Sequence, residues 1–219
     1  MALNGLRVLD LFCGQGGAGM GYRLAGFHVT GVDIAPQPRY PFTFVQGDAL
    51  EYLAAHGAGF DLVHASMPCQ RYTRAQRIRH REHPDLIAPV RTLLNATGRP
   101  WVMENVPGAP LNDPVELCGA MFGLRTYRHR HFEASFPLGH RHHPRHLAPN
   151  AKMGRPVAPG EFMHIVGNFS NVPLARVVMG MPWATRDGLR EAIPPAYTLH
   201  IARQYLAHHI AAGVLGVAA

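Results

Sequence analysis

The 219-residue chain predicts an α/β fold, a mostly parallel sheet with helices on both faces. Three features point there: short apolar runs alternating with helical periodicity, a glycine-rich turn directly after the first run, and chemically distinctive residues placed just past successive runs. Leu6 to Phe12 is the first strand and ends in a turn carrying Gly14, Gly16 and Gly17. Gly17 to Ala25 forms a helix and His28 to Asp33 the second strand, which makes a β-α-β unit with parallel strands. Phe42 to Gln46 and Phe60 to Ala65 are further strands, separated by a helix over Asp48 to His56 that Asp48 can cap. Pro84 opens a helix that reaches Ala96, and Trp101 to Glu104 is the next strand. Sheets of this kind bind ligands at the carboxyl ends of their strands. The glycine turn, Asp33, Cys69 and Glu104 therefore converge on one rim.

After Arg125 the pattern changes. Tyr127 to Phe132 alternates basic with aromatic or imidazole residues, and Phe136 to Pro159 is rich in Pro, His, Gly and Arg with little periodicity. We read this as a loop-rich insertion. Helical patterning returns near Leu174 and again from Ala196 to Ala212, after Ile193-Pro194-Pro195. Residues 1–132 and 173–219 are assigned to one domain, and 133–172 to a small loop-rich insertion in it.

At 47% hydrophobic residues the chain can bury a full core. Lys and Arg number 21 against 14 Asp and Glu, a formal net charge of +7, alongside 15 histidines. A polyanionic partner such as nucleic acid accounts for this balance, and so does a merely soluble surface. Three widely spaced cysteines make no disulfide framework and imply a reducing cytoplasm. Asn4, Arg7 and Asp10 interrupt the first ten residues, so no secretory segment is expected, and no apolar run is long enough to span a bilayer.

The chemistry rests on two short motifs. Pro68-Cys69-Gln70 offers a thiol whose preceding backbone is stiffened by proline, with Arg71 and Arg74 nearby to favour the thiolate. Glu104, in Glu104-Asn105-Val106, ends an apolar strand, where an unpaired carboxylate is costly and must either pair or carry a raised pKa. A thiolate and a proton-bearing carboxyl together suit addition to a pyrimidine ring, the thiol attacking carbon and the acid protonating ring nitrogen. Cys13 and Cys118 have no such neighbours and are assigned to packing. The glycine turn is common among nucleotide-binding folds. Phe12 can stack on an adenine, Asp10 can hold an ammonium, Asp33 can bind ribose hydroxyls and Asp48 can accept from an adenine amino group. Those four fit S-adenosylmethionine and leave a dinucleotide open.

In this order the motifs resemble the cytosine-5 DNA methyltransferases. The resemblance implies a Rossmann-like S-adenosylmethionine-dependent fold, with Asp10 to Gly17 as cofactor loop, Asp33 and Ile34 at the ribose and adenine, and Asp48 and Ala49 beside the adenine. It implies that Cys69 is the nucleophile supported by Pro68, that Glu104 and Asn105 hold the base, and that Arg130 in Arg128-His129-Arg130 reaches the cytosine. Leu117-Cys118-Gly119 and Ile193-Pro194-Pro195-Ala196-Tyr197 also match, the latter preceding a helix that completes the cofactor pocket. The implied partner is double-stranded DNA, contacted by Gln70, Arg71, Arg77, Arg79, Arg128, Arg141 and Arg145. Lys152 and Arg155 are further donors in the insertion.

Three departures stand out. Met67 replaces the first of two prolines ahead of the cysteine, Thr126 replaces a glutamine ahead of the arginines, and the recognition region is compressed into about Glu133 to Val172. Such compact forms are similar to solitary methyltransferases of phages, acting as monomers in the cytoplasm; a cognate restriction endonuclease is left open. The histidine-rich run Gly139 to His146 is read as a solvated basic loop, and no metal is expected, because no cysteine pair lies nearby. Three rivals are retained: an RNA cytosine methyltransferase, a catalytically inactive DNA-binding relative and a dinucleotide oxidoreductase.

Overall fold

The computed structural model describes residues 3–72 and 84–213, with the Gln70 side chain outside the description. The strands are β1 (Arg7–Leu11), β2 (His28–Asp33), β3 (Thr43–Gln46), β4 (Leu62–Ser66), β5 (Trp101–Asn105), β6 (Val115–Leu117) and β7 (Arg130–Ala134). They form one seven-stranded sheet in the order β3-β2-β1-β4-β5-β7-β6. The β1–β2, β2–β3, β1–β4 and β4–β5 pairs are parallel, whereas β7 runs antiparallel to both β5 and β6. The strand order reverses between β1 and β4, the switch point at which such sheets open a crevice.

The helices are α1 (Gly17–Leu24), α2 (Ala49–His56), α3 (Ile87–Ala96), α4 (Val172–Met179), α5 (Arg186–Glu191) and α6 (Pro195–Ala211). Period-two alternation divides the core. Val8, Leu62, Val102 and Phe132 pack with Tyr22 of α1 and Tyr197 and Ile201 of α6 on one face. Leu9, Leu11, Val63, Ala65 and Met103 pack with Leu53 of α2 and Val90 and Leu94 of α3 on the other. Helices thus cover both faces, as the alternating pattern predicts. α6 lies close against α1 because Gly17 and Gly21, one turn apart, present no side chain. A Cβ at Gly17 would strike the Ile193 carbonyl, and one at Gly21 the Pro195 carbonyl and the Thr198 hydroxyl. Thr198 Oγ1 instead donates to the Ala18 carbonyl at 2.7 Å.

Several boundaries move from their expected places. The third helix begins at Ile87, not Pro84. Asp85 Oδ1 accepts from the Ile87 amide at 3.1 Å, and Pro89 is the proline of the first turn, where an amide would have no helical partner. β6, β7 and α5 carry no strong periodic signal and appear only in the fold. β7 extends the sheet through Ala134, two residues into the stretch expected to be insertion. Beyond it, residues 135–171 hold no helix or strand apart from an isolated Asn150–Phe162 bridge. This stretch packs with α4 and α5 into a separate apolar cluster of Met163, Ile165, Phe169, Val178, Met181 and Leu189. Among the described residues, no helix is long and apolar enough to cross a membrane.

Candidate active site

The carboxyl ends of β4 and β5 lie side by side, with Ser66 paired to Glu104 in register. β7 returns antiparallel, so its first residue, Arg130, arrives at the same rim where β5 ends. Phe132 pairs directly with Glu104 and Arg130 lies two residues along on the same face, within reach of a long side chain. The Arg130 Nε lies 3.0 Å from Glu104 Oε1, and Arg130 Nη1 donates to the His129 carbonyl at 2.8 Å.

Glu104 is buried, and burial raises its pKa. The Arg130 charge pulls it back, followed by a hydrogen bond from Ser66 and the charge of Arg128. Ser66 Oγ in turn lies 2.8 Å from His64 Nε2, whose Nδ1 is 3.0 Å from the Tyr22 hydroxyl. Leu62, His64 and Ser66 alternate onto the α1 face of β4. A polar line Tyr22–His64–Ser66–Glu104–Arg130 therefore crosses an otherwise apolar layer. Burial pulls His64 down to about 3, so it is neutral at ordinary pH. His64 and Ser66 were not singled out from sequence; the signal that finds them is strand alternation once Glu104 is known to lie on the neighbouring strand.

Cys69 follows β4 and is half-buried. Its thiol is pushed up by burial, pulled down by Arg130, pushed up by Glu104 and pulled down by Arg128. The cations acting on it are Arg128, just ahead of β7, and Arg130 at its start, and burial keeps its pKa above the ordinary value despite them. Arg71, expected to favour the thiolate, stands 3.9 Å from Asp85, and Arg74 lies outside the described residues. Pro68 is exposed ahead of the thiol, and Asn105 secures this loop from below, its Nδ2 donating to the Met67 carbonyl at 3.2 Å. That bond anchors the backbone at the position where Met67 takes the place of a proline.

The glycine turn is tied to the end of β2. The Gly14 amide donates to Asp33 Oδ2 at 2.9 Å and the Ala35 amide to Oδ1 at 3.0 Å. A carboxylate offers about four acceptor sites, so each oxygen retains capacity for a ligand hydroxyl. Phe12, Gly14 and Gly16 all have positive φ, a strained state for Phe12. Ile34 is 72% exposed beside Asp33, an apolar face on the rim. Asp48 caps α2 through Oδ1, which accepts from the Leu50 and Glu51 amides, and Ala49 is buried directly behind it.

Asp10 is fully buried rather than exposed at the rim. Its Oδ2 accepts from the Tyr40 hydroxyl at 3.1 Å, while Oδ1 has no hydrogen-bond partner among the described residues. Burial raises its pKa to about 7. A second support was invisible in the sequence. Gln15 bridges to the region after α4, its Oε1 accepting from the Thr185 amide at 2.8 Å and its carbonyl from Trp183 Nε1 at 2.7 Å.

The assignment of Arg128 to DNA is corrected. Its Nε, Nη1 and Nη2 donate to the carbonyls of Ala192, Ile165 and Arg190 at 2.8, 2.9 and 2.7 Å, so it ties the loop-rich segment to the chain ahead of α6. Arg155 is likewise engaged, forking onto Glu161. Arg141 donates through Nε to the Met121 carbonyl and lies 5.0 Å over the Phe122 ring, while Arg145 is exposed. Arg77 and Arg79 lie outside the described residues. The histidine-rich run is not simply solvated: His143 and His146 pack against His129, and His146 also contacts Cys118.

A search of protein-family models finds no match, and neither does a search of curated proteins. Among solved structures, the chain is similar to a protein assigned as a DNA modification methyltransferase encoded within an E. coli prophage. The TM-score is 0.60 at 15% identity, covering 92% of this chain and 99% of that one. It also aligns to the S. pombe Dnmt2 methyltransferase, with a TM-score of 0.44 at 20% identity over 59% of this chain and 48% of that one. The mixed, mostly parallel sheet is that of a Rossmann-like methyltransferase fold.

Proposed function

We propose that the protein transfers a methyl group from S-adenosylmethionine to carbon 5 of cytosine in double-stranded DNA. The observation that carries this reading is the convergence of Cys69, Glu104 and Arg130 at the adjoining ends of β4, β5 and β7. The residues around the glycine turn fit the donor. Asp10 Oδ1 is a buried acceptor awaiting a cationic partner, Gly14 leaves open space where a Cβ would stand, and Asp33, Ile34 and Asp48 line successive strand ends. The bound donor supplies an electrophilic methyl carbon on a sulfonium.

Carbon 5 of cytosine is too weak a nucleophile to take that methyl unaided. Cys69 Sγ, as thiolate, forms a bond to carbon 6, and the displaced electron pair is accommodated as Glu104 protonates N3. Burial favours the proton-bearing form of Glu104 that this step needs. Carbon 5 then attacks the methyl carbon, whose bond to sulfur breaks to leave a neutral thioether. Loss of the carbon-5 proton to water restores the ring double bond and expels the Cys69 thiolate, while N3 returns its proton to Glu104. Arg130 keeps the Glu104 carboxyl oriented throughout. The cytosine must first leave the stack, at a cost of a few kcal/mol.

The DNA-facing residues belong to the same proposal. Arg71, Arg77 and Arg79 follow the nucleophile and meet phosphates. Arg145, with Lys152, presents donors for a short site of about two to four base pairs, each good bidentate pairing being worth roughly 1 to 3 kcal/mol. Replacing Arg77 or Arg79 should weaken all sequences alike and reduce the salt slope by about 0.9 for each phosphate no longer neutralised. The protein would work in the cytoplasm, on DNA.

A duplex carrying 5-fluorocytosine tests the mechanism, because fluorine blocks loss of the carbon-5 proton. With S-adenosylmethionine present, a covalent adduct should survive denaturing electrophoresis and disappear in Cys69→Ala. Bisulfite sequencing of DNA from expressing cells locates the methylated base. Methylation of transfer RNA in place of duplex DNA would reassign the substrate, and full activity in Cys69→Ala would remove the mechanism.

A further inference from the structure

We propose that Cys118, His129, His143 and His146 bind one Zn²⁺ ion in a closed, four-ligand site that fastens the loop-rich segment to the sheet. Cys118 directly follows β6 and His129 directly precedes β7, while His143 and His146 lie in the stretch without helix or strand. The fold brings one donor atom of each to within 4.8 Å of all the others. Cys118 Sγ is 3.3 Å from His146 Nε2, and His129 Nε2 is 3.2 Å from His143 Nε2. A tetrahedral zinc shell with Zn–S near 2.3 Å and Zn–N near 2.0 Å has edges of about 3.3 to 3.6 Å. Two of the six edges already have about that length, and the remaining donor atoms lie within 4.8 Å of one another, close enough for a bound ion to draw them in.

The surrounding groups set the rings for ligation. His143 Nδ1 lies 3.0 Å from the Pro144 carbonyl, which accepts its proton and leaves the Nε2 lone pair facing the cluster. His146 is stacked on Tyr127 with ring centroids 3.6 Å apart, and Tyr127 is itself fixed by its hydroxyl donating to the Ala148 carbonyl at 2.7 Å. Glu116 Oε1 stands 3.8 Å from His143 Nε2, a carboxylate that offsets the single positive charge left when one thiolate and three neutral imidazoles meet a divalent ion. One sulfur and three imidazole nitrogens suit Zn²⁺ and disfavour Mg²⁺ or Ca²⁺, which take oxygen. Four protein donors leave no open position, so the site is structural.

The placement also has a consequence for the rim. His129 lies between Arg128, which ties down the segment ahead of α6, and Arg130, which reaches Glu104. A metal on His129 fixes the start of β7 and hence Arg130. Zinc binding stands or falls separately from methyl transfer, because its readout is the metal itself.

The test uses tag-free full-length protein. Elemental analysis should give one zinc per chain, and protein stripped of metal should take up one Co²⁺ with the visible absorption of a tetrahedral thiolate site. Cys118→Ser and His143→Ala should abolish both signals, whereas Cys13→Ser and His140→Ala should leave them unchanged. Should Cys118→Ser fail to fold, His146→Ala, which removes an exposed ring, gives the same readout. Folded protein that neither contains zinc nor gives the Co²⁺ spectrum overturns the proposal. Metal retained at full stoichiometry in both His143→Ala and His146→Ala overturns it equally.

Discussion

The sheet half of the molecule and the segment from 135 to 192 are held by different physics. In the first, strands hydrogen-bond in register and two apolar layers sandwich them, so each side chain's position follows from alternation and burial. In the second, backbone polar groups find few ladder partners, and long polar side chains substitute for them. Arg128 takes three carbonyls, Arg125 takes that of Glu161, Arg176 takes that of Ala184, and Tyr127 takes that of Ala148. Order in a segment with little regular secondary structure thus depends on a few side chains. The reacting groups are placed by the sheet half, whereas the surfaces proposed to read DNA belong to the other.

That contrast predicts separable damage. Glu104→Gln keeps shape and removes the proton donor, so methylation should fall by about 10² to 10⁴, and denaturant stability should fall as well because the Arg130 guanidinium loses its buried carboxylate partner. A matching loss of donor affinity would move Glu104 to the other pocket. Phe132→Ala empties a fully buried position in the sheet and should cost about 3 to 5 kcal/mol in a denaturant melt, lowering protection of the whole domain together. Arg128→Met should behave differently. It leaves three carbonyls without their donor and should cost on the order of 1 to 3 kcal/mol, with hydrogen exchange accelerated in residues 163–166 and 190–193 and unchanged in β1 and β4. Uniform loss of protection would show that the two halves are one cooperative unit.

The last effect is a dependence on pH and concerns Asp10. Its folded pKa of about 7 exceeds the ordinary 3.8, so the folded state holds a proton that the unfolded chain releases. Stability should therefore decline as pH rises from about 4 to 7 and level off above. Between pH 6 and 8 the change attributable to Asp10 is about 1 kcal/mol and should vanish in Asp10→Asn. Saturating S-adenosylmethionine should suppress it too, if the donor's ammonium pairs with Asp10 Oδ1 as proposed. A pH dependence unchanged by the donor would place that ammonium elsewhere.

Much of the rim was legible because each motif follows a strand whose own signal is strong. Leu6 to Phe12 and His28 to Asp33 are apolar runs closed by Gly and Asp, and the structure places β1 and β2 within a residue of those limits. β7 was not legible: Arg130, His131 and Glu133 interrupt Phe132 and Ala134, so five residues carry too little contrast to mark a strand. Its antiparallel direction, which delivers Arg130 to Glu104, has no local signature at all. Arg128 and Arg130 are chemically equivalent in the sequence, yet one meets backbone carbonyls and the other a carboxylate.

Elements that repeat with a period were readable along the chain: the β-α-β order, the mostly parallel sheet with helices on both faces, and the strand-end positions of the glycine turn, Asp33, Cys69 and Glu104. Periodicity is a local property, set by alternation along a strand and by 3.6 residues per helical turn. Folding in three dimensions was needed to set which of those ends meet, that His64 and Ser66 back Glu104, that Arg128 is a tie and Arg130 a partner, and that Cys118 faces three histidines. Those are meetings of residues far apart in the chain, fixed by strand order and direction, and no window of sequence contains both partners.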